Sequence, residues 1–418
     1  MLRFAVVAAL MLPLAAQAQG YRSLSGTVTY LDRMALPAEA VLLVEMAGFD
    51  LRLEAEARIP TDGRQVPIPF SLDIPEGAEG RLRVGLALGT QVVWLGDATQ
   101  IDVNTPVDIG ELVLRRHRPM GFDSAFRCGD DLIRVGPAGP TGPVGEAVVL
   151  DTPDARMVLQ PVPAASGARY EAEGDPDTFF WSRGDSAQVS LAGTDLPECR
   201  VSLPIDETPY RAGGNEPFWS VTIDAGGMRI TRLGYDDLAL PVADSALSET
   251  GDITVIGADP EQAVQATLVR ARALCRDTMT GMPHPERVEL SLDEATLTGC
   301  GGDPLTLLTG RTWVVEDIAG AGVIDNTEPT LVFGTEGRVA GGGSCNRWFA
   351  GYTLTGESLT IGDAGATMMA CPDAIMAQEQ RFFDALSQST GFDIDDTGAL
   401  LLRAGDEVIL TARGATGP

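Results

Sequence analysis

The sequence predicts a mainly β protein built of tandem small β-sandwich or β-barrel domains, the last of them α+β with one clear helix. Three observations carry this. Short runs alternate apolar and polar residues at period two, as in Ser25-Gly26-Thr27-Val28-Thr29-Tyr30. A chain of 418 residues is too long for one small core, and its length suggests two to four domains. Six cysteines fall as three local pairs, Cys128 with Cys199, Cys275 with Cys300 and Cys345 with Cys371.

Residues 1–18 contain Leu2-Arg3, an apolar run from Phe4 to Ala16 and the small-residue end Ala16-Gln17-Ala18, the pattern of a signal peptide cleaved after Ala18. That run is too short to span a bilayer and no later one is long enough, so no transmembrane segment is expected. No cysteine follows the cleavage site, which argues against a lipid anchor and for a soluble protein exported to the periplasm. In an oxidising compartment an even, domain-local set of cysteines reads as disulfides. Six cysteines allow fifteen connectivities, and only domain locality favours this one. The net charge is −29, with thirty arginines and no lysine. Nucleic acid and anionic membrane surfaces are poor partners for such a chain, and a basic protein is a favourable one. Acidity also simply keeps an exported protein in solution.

Residues 22–116 form the first expected unit, with further strands at 40–45, 82–88 and 91–95. Pro37, Pro67 and Pro69 are confined to edges or turns, which gives a small all-β sandwich. Arg115-Arg116-His117-Arg118-Pro119 reads as a linker. The second unit, 120–203, carries a Gly-X-Y rhythm from Gly136 to Pro143 that is too short for a collagen helix and reads as a loop. Further on, 168–173 and 178–182 are strand-like runs either side of Gly174-Asp175-Pro176-Asp177, strong turn chemistry that predicts a hairpin. Pairing across it sets Arg183 opposite about Ala168 and brings Ser166 and Arg183 to one open end. Within 120–203, thirteen Asp and Glu against six Arg leave a net −7.

The third unit, 209–303, opens on Gly214-Asn215-Glu216-Pro217-Phe218-Trp219 and later holds Cys275-Arg276-Asp277-Thr278-Met279. Glu216 and Asp277 could be drawn as an acid–base pair, but a strand entry with a core Trp219 and the acids in turns is the expected arrangement. The fourth unit, 305–412, has strands at 330–333, 400–403 and 408–410. It also has the one amphipathic helix, starting at Pro372 and placing Ile375, Met376, Glu379, Phe382, Phe383 and Leu386 on one stripe against the sheet.

No nucleophile constellation, Walker A or dinucleotide glycine fingerprint is present, so no enzyme and no cofactor is expected. With no C-x-x-C and only His117 and His284, no metal site is expected either.

Four resemblances add to this reading. Gly26-Thr27-Val28-Thr29-Tyr30, Ala35-Leu36-Pro37 and Val66-Pro67-Ile68-Pro69-Phe70 resemble the YbaY family of envelope proteins, related to type III secretion pilotins. The GNEPFW unit resembles a group of poorly characterised exported bacterial domains. Gly343-Ser344-Cys345-Asn346-Arg347-Trp348-Phe349 with Thr367-Met368-Met369-Ala370-Cys371 resembles the META domain of the HslJ family. Ser166-Gly167-Ala168-Arg169-Tyr170 and Trp181-Ser182-Arg183-Gly184-Asp185 resemble the MliC-type inhibitors of C-type lysozyme, with Arg183 where that family has lysine.

That last resemblance implies lysozyme binding through Ser166, Gly167, Arg169, Tyr170, Arg183 and Asp185. A lysozyme cleft holds two catalytic carboxylates. A guanidinium can make a charge-assisted, bidentate contact with a carboxylate, and a serine hydroxyl can donate or accept beside it. The expected function is therefore inhibition of C-type lysozyme. The alternative is a non-catalytic envelope module that serves binding or assembly with other envelope proteins.

Overall fold

The computed structural model describes residues 20–48, 52–117, 122–129, 131–138, 147–153, 155–204, 209–224, 227–248, 250–335 and 337–415. The expected signal peptide, Arg118 and Pro119 of the linker, and 139–143 of the glycine–proline run lie outside the described residues. The chain folds into four mainly β units with one α-helix among the described residues.

In the first unit the period-two runs become Tyr21–Tyr30, Val41–Gly48, Gly80–Leu88 and Gln91–Gly96, strands of one continuous sheet. In place of the sandwich expected for this unit, the strands join edge to edge in that one barrel-like sheet. Leu24, Val28, Leu42, Val44, Leu82 and Trp94 fill the interior. The outermost strands of the sheet are Leu53–Pro60 and Ile68–Pro75. Pro69 lies on the second of these, where a missing amide donor is tolerated.

The second unit is a closed antiparallel barrel. Eight strands run in chain order: Ser124–Cys128, Asp131–Pro137, Val148–Asp151, Arg156–Val162, Ala168–Ala172, Asp175–Arg183, Ser186–Leu191 and Cys199–Ser202. The last pairs with the first, and the ring closes. Phe126 and Phe180 meet edge to face inside it, 5.3 Å between centroids. Gly136 and Pro137, expected in a loop, instead end the second strand. Cys128–Cys199 joins the first and last strands.

The third unit repeats this plan. Its path runs Tyr210–Asn215, Phe218–Asp224, Gly227–Arg232, then Leu238–Leu240 and Val242–Leu247 either side of Pro241, followed by Ile253–Asp259, Val264–Ala271, Glu286–Leu292 and Ala295–Gly301. Ala258 N–H donates to Pro241 O at 3.0 Å, which carries the ring across the proline. Trp219 is in the core as expected. Glu286 is held inside by Arg270 and by the Tyr210 hydroxyl, each at 2.9 Å. Burial, and after it the Glu286 charge, push the Tyr210 hydroxyl far above its ordinary range.

The fourth unit packs the helix Asp373–Ser387 on a ten-stranded sheet, with Phe382 edge-on to Trp348 at 5.3 Å. The expected stripe is half correct. Glu379, Phe382 and Leu386 are buried as expected, but Met376 faces solvent, and the polar Gln378 is buried in its stead. The two polar residues are there because the Ser344–Asn346 loop needs partners: Glu379 accepts from the N–H groups of Cys345 and Asn346 and from the Asn346 amide. Burial works to raise the Glu379 carboxyl, but these donors together hold it below the usual range. Cys275–Cys300 and Cys345–Cys371 complete the three expected bridges.

Candidate functional site

The rim of the second barrel that carries the loop 163–167 and the turn Gly184–Asp185 is the candidate site. Period two decides how its strand is dressed. Along Asp175–Arg183, Phe180 points into the core, so Phe179 and Trp181 point out. Their outward faces collect cations. Arg169 lies 3.9 Å from the Phe179 ring centroid, and Arg183 lies 3.6 Å from that of Trp181. Cation–π contact at an exposed site contributes about 0.5–1 kcal/mol and, more usefully here, fixes where the guanidinium sits.

Two devices pull the serine loop onto this strand. Trp181 Nε1 donates to Ser166 O at 2.9 Å. Gly167 has φ +70°, and a Cβ there would stand 2.0 Å from Ser182 O, so only glycine permits the approach. Ser166, Gly167, Arg183, Gly184 and Asp185 are all exposed, while Arg169 and Tyr170 are half-buried.

The hairpin forms, with its turn in a different place. The loop is Glu173–Gly174, with Gly174 at φ +78°, and Asp175 already pairs with Ala172. Pro176, Asp177 and Thr178 then bulge out before Phe179 rejoins the ladder opposite Glu171. The Asp175 carboxylate holds the bulge by accepting from the N–H of Asp177 and the hydroxyl of Thr178. Ser182, not Arg183, therefore faces Ala168, and Arg183 pairs with Ser186 across the Gly184–Asp185 turn.

The charged residues of the rim differ in what engages them. Arg169 is paired with Glu171 at 2.8 Å. Asp185 lies 3.6 Å from Arg58 of the first unit. Arg183 makes no ion pair among the described residues. It stands at the end of the hairpin with only an indole beneath it, so its charge is available to an incoming carboxylate.

The first unit docks beside this rim. Glu45 is 2% exposed and accepts from Ser202 Oγ at 2.8 Å, from Leu203 N–H at 2.9 Å and from Arg83 at 3.0 Å. Leu43, Ala87 and Val92 of the first unit share one apolar cluster with Phe126, Ile133 and Val201 of the second. Nothing local in the sequence marks Glu45 or Arg58 as neighbours of the rim. Phe179 and Trp181, by contrast, could have been placed there by alternation alone.

The other acidic candidates serve structure. Asp277 closes its own turn, accepting from the N–H groups of Met279 and Thr280 and from the Asn215 amide. Burial works to raise its carboxyl, but these bonds together lower it. Glu216 is exposed in the Asn215–Phe218 turn. Among the described residues no group of three or more His, Cys, Asp or Glu could hold a metal ion. Nor is any helix there long and apolar enough to cross a membrane. A cleft of about 370 Å³ lies elsewhere, lined by Pro153, Arg311, Thr397, Gly398, Arg413 and Gly414.

Three segments match known families. Residues 126–197 match the membrane-bound lysozyme-inhibitor of c-type lysozyme, MliC. Residues 19–102 match the type III secretion system lipoprotein chaperone, YscW, and residues 306–415 match the META domain. Among solved structures, an alternative pilotin from the type II secretion system of Vibrio cholerae is 20% identical. The match covers 23% of this chain and 100% of that one, with a TM-score of 0.21. A protein from Burkholderia xenovorans solved by NMR is 25% identical over 27% of this chain and 86% of its own, with a TM-score of 0.23. No curated protein matches the chain.

Proposed function

We propose that the chain is an exported inhibitor of C-type lysozyme in the bacterial periplasm, acting through the exposed rim of its second barrel. One observation carries the reading: Arg183 is stacked on Trp181 and unpaired with any described carboxylate, beside Ser166, in the segment that matches the inhibitor family. Arg183 enters the lysozyme cleft and contacts the two catalytic carboxylates, and Ser166 bonds alongside. Blocking sugar access needs no turnover, so the protein acts as a stoichiometric ligand and not as an enzyme.

Arginine is wider than lysine, but its planar fork suits a pair of carboxylates. Gly167 lets the serine loop approach, and Arg169 and Tyr170 flank it on the adjoining strand. The net −7 over 120–203 steers a cationic partner at low ionic strength.

The test is lysozyme lysis of cell walls with purified protein. Wild type at micromolar concentration slows lysis, Arg183→Ala loses most of the effect, and Ser166→Ala loses part of it. Undiminished lysis with wild type sinks the reading, and equal inhibition by both variants moves the site elsewhere. The match of residues 19–102 to a secretion chaperone favours a second reading, an envelope binding or assembly module. Undiminished lysis would leave that one standing.

A further inference from the structure

Arg183 is useful to a carboxylate-bearing cleft only if no carboxylate of its own chain takes it first. Its own turn supplies a competitor. Asp185 is two residues away across Gly184, in a hairpin whose strands pair Arg183 with Ser186. Yet Asp185 is turned to another guanidinium, that of Arg58, which belongs to a different domain.

Arg58 sits on the outermost strand Leu53–Pro60 of the first unit, with its side chain 16% exposed. Its Nη1 donates to Val201 O at 2.8 Å, while Val201 N–H donates to Asp185 O at 2.9 Å. One guanidinium thus grips the last strand of the barrel and stands 3.6 Å from the Asp185 carboxylate. Its Nη2 is buried and has no hydrogen-bond partner in the structure, so Asp185 is the group it faces. Glu56 lies 3.8 Å from Nη1 and shares the cation without replacing Asp185. The placement is not casual, because the same interface buries Glu45 with three donors.

We propose that Arg58 is a positioning residue for the inhibitory rim: by holding Asp185 it keeps that carboxylate off Arg183, so that the first domain sets the charge state of a site on the second. The idea rests on the inhibitor reading for its functional consequence but not for its structural one. Water screens the exposed Asp185 carboxylate, so the attraction itself is modest; what favours Arg58 over Arg183 is that Arg58 is already fixed beside Asp185 by its bond to Val201 O. Without Arg58, Asp185 turns to Arg183 and draws it off the Trp181 ring. The partner's carboxylates must then displace a carboxylate already in place.

The experiment is a double-mutant cycle in the full chain, using Arg58→Ala, Asp185→Asn and the pair. Arg58→Ala raises the lysozyme inhibition constant about tenfold, mainly through faster dissociation. Asp185→Asn is the reference for the pair, since any contact of that carboxylate with lysozyme is already lost in it, and adding Arg58→Ala to Asp185→Asn shifts the constant by less than about twofold. Loss of the Arg58 effect on removing a second charge is a result that mere loosening of the domain interface cannot give. Arg58→Ala as inhibitory as wild type, or a loss on removing Arg58 that is as large in the Asp185→Asn background as in wild type, overturns the proposal.

A readout without lysozyme separates this from failure of the inhibitor reading. The Trp181 indole N–H resonance, one of five, moves in Arg58→Ala and returns in the double variant. No movement overturns the proposal whatever lysozyme does. If wild type does not inhibit while the resonance moves and returns, the inhibitor reading falls and the charge-holding role of Arg58 stands.

Discussion

The second and third barrels share one plan and use it differently. Each runs its strands in chain order around a closed ring, and each carries a disulfide on its last strand. The rim made by the fourth-to-fifth and sixth-to-seventh connections is, in the second barrel, the exposed Ser166–Arg183 end. In the third barrel the same connections are occupied by neighbouring domains. Arg156 of the second barrel donates to Gly251 O at 3.1 Å, and Arg272 of the third donates to Asp151 at 2.7 Å. The hairpin that follows is tied back by Cys275–Cys300, and its Arg276 bonds both oxygens of Asp393 in the fourth unit at 3.0 Å. The fold is therefore not what makes a binding rim. What separates the two is that Arg183 of the second barrel's rim has no ion pair among the described residues, whereas Arg272 and Arg276 of the third are matched with carboxylates of neighbouring domains.

The largest expected effect of a substitution falls on the occupied rim. Asp151 is buried and accepts from Arg134, Arg156 and Arg272. Asp151→Ala strands three guanidiniums and costs about 3–5 kcal/mol of stability, read as a lower denaturation midpoint. An unchanged midpoint would break the comparison, since the third barrel's rim would then be as uncommitted as the second's.

Acidity tests the same carboxylate. Burial works to raise Asp151, but the three guanidiniums together hold it below the usual range. A depressed native pKa stabilises the fold fully above the unfolded value of about 3.9, and this stability is lost as pH falls further towards the native value. Thermal midpoints should therefore fall more steeply below about pH 4 in wild type than in Asp151→Asn. Parallel curves would deny the hub its electrostatic role.

On the open rim the largest loss is of binding. Arg183→Ala costs about 2–5 kcal/mol of lysozyme affinity, measured by titration calorimetry, and leaves the denaturation midpoint nearly unchanged. Gly167→Ala is smaller and mixed. The positive φ and the nearby Ser182 O cost about 1–3 kcal/mol of local stability and displace Ser166. Inhibition should weaken without vanishing. Asn215→Ala is the smallest: it removes one bond to Asp277, worth about 1 kcal/mol, and leaves lysozyme inhibition as it was.

Sequence patterns reached as far as their range allowed. Alternation at period two and the 3.6-residue stripe are local signals, so the strand at Thr330–Phe333 and the helix at Asp373–Ser387 were legible. The hairpin reading also puts Ser166 and Arg183 at one end of the barrel, where Trp181 bonds Ser166 O. The turn at 174–177 was misplaced because Asp175 can hold Pro176 and Asp177 in a bulge as readily as in a turn. Met376 was assigned to the core because the stripe gives apolar residues the inner face. The Ser344–Asn346 loop needs Gln378 there instead, beside the Glu379 that the stripe already places inside. Arg58, Glu45 and Asp151 were illegible for another reason. Each is an ordinary charged residue on a strand, and at least one partner of each lies far away in sequence on a different domain.

The central claim is that Arg183 on the open rim occupies the catalytic cleft of lysozyme. Steady-state kinetics on a soluble oligosaccharide test it most directly. Competitive inhibition is predicted, with KM rising in proportion to inhibitor, kcat unchanged and the effect largely lost in Arg183→Ala. A fall in kcat at constant KM, or full inhibition by Arg183→Ala, would contradict it.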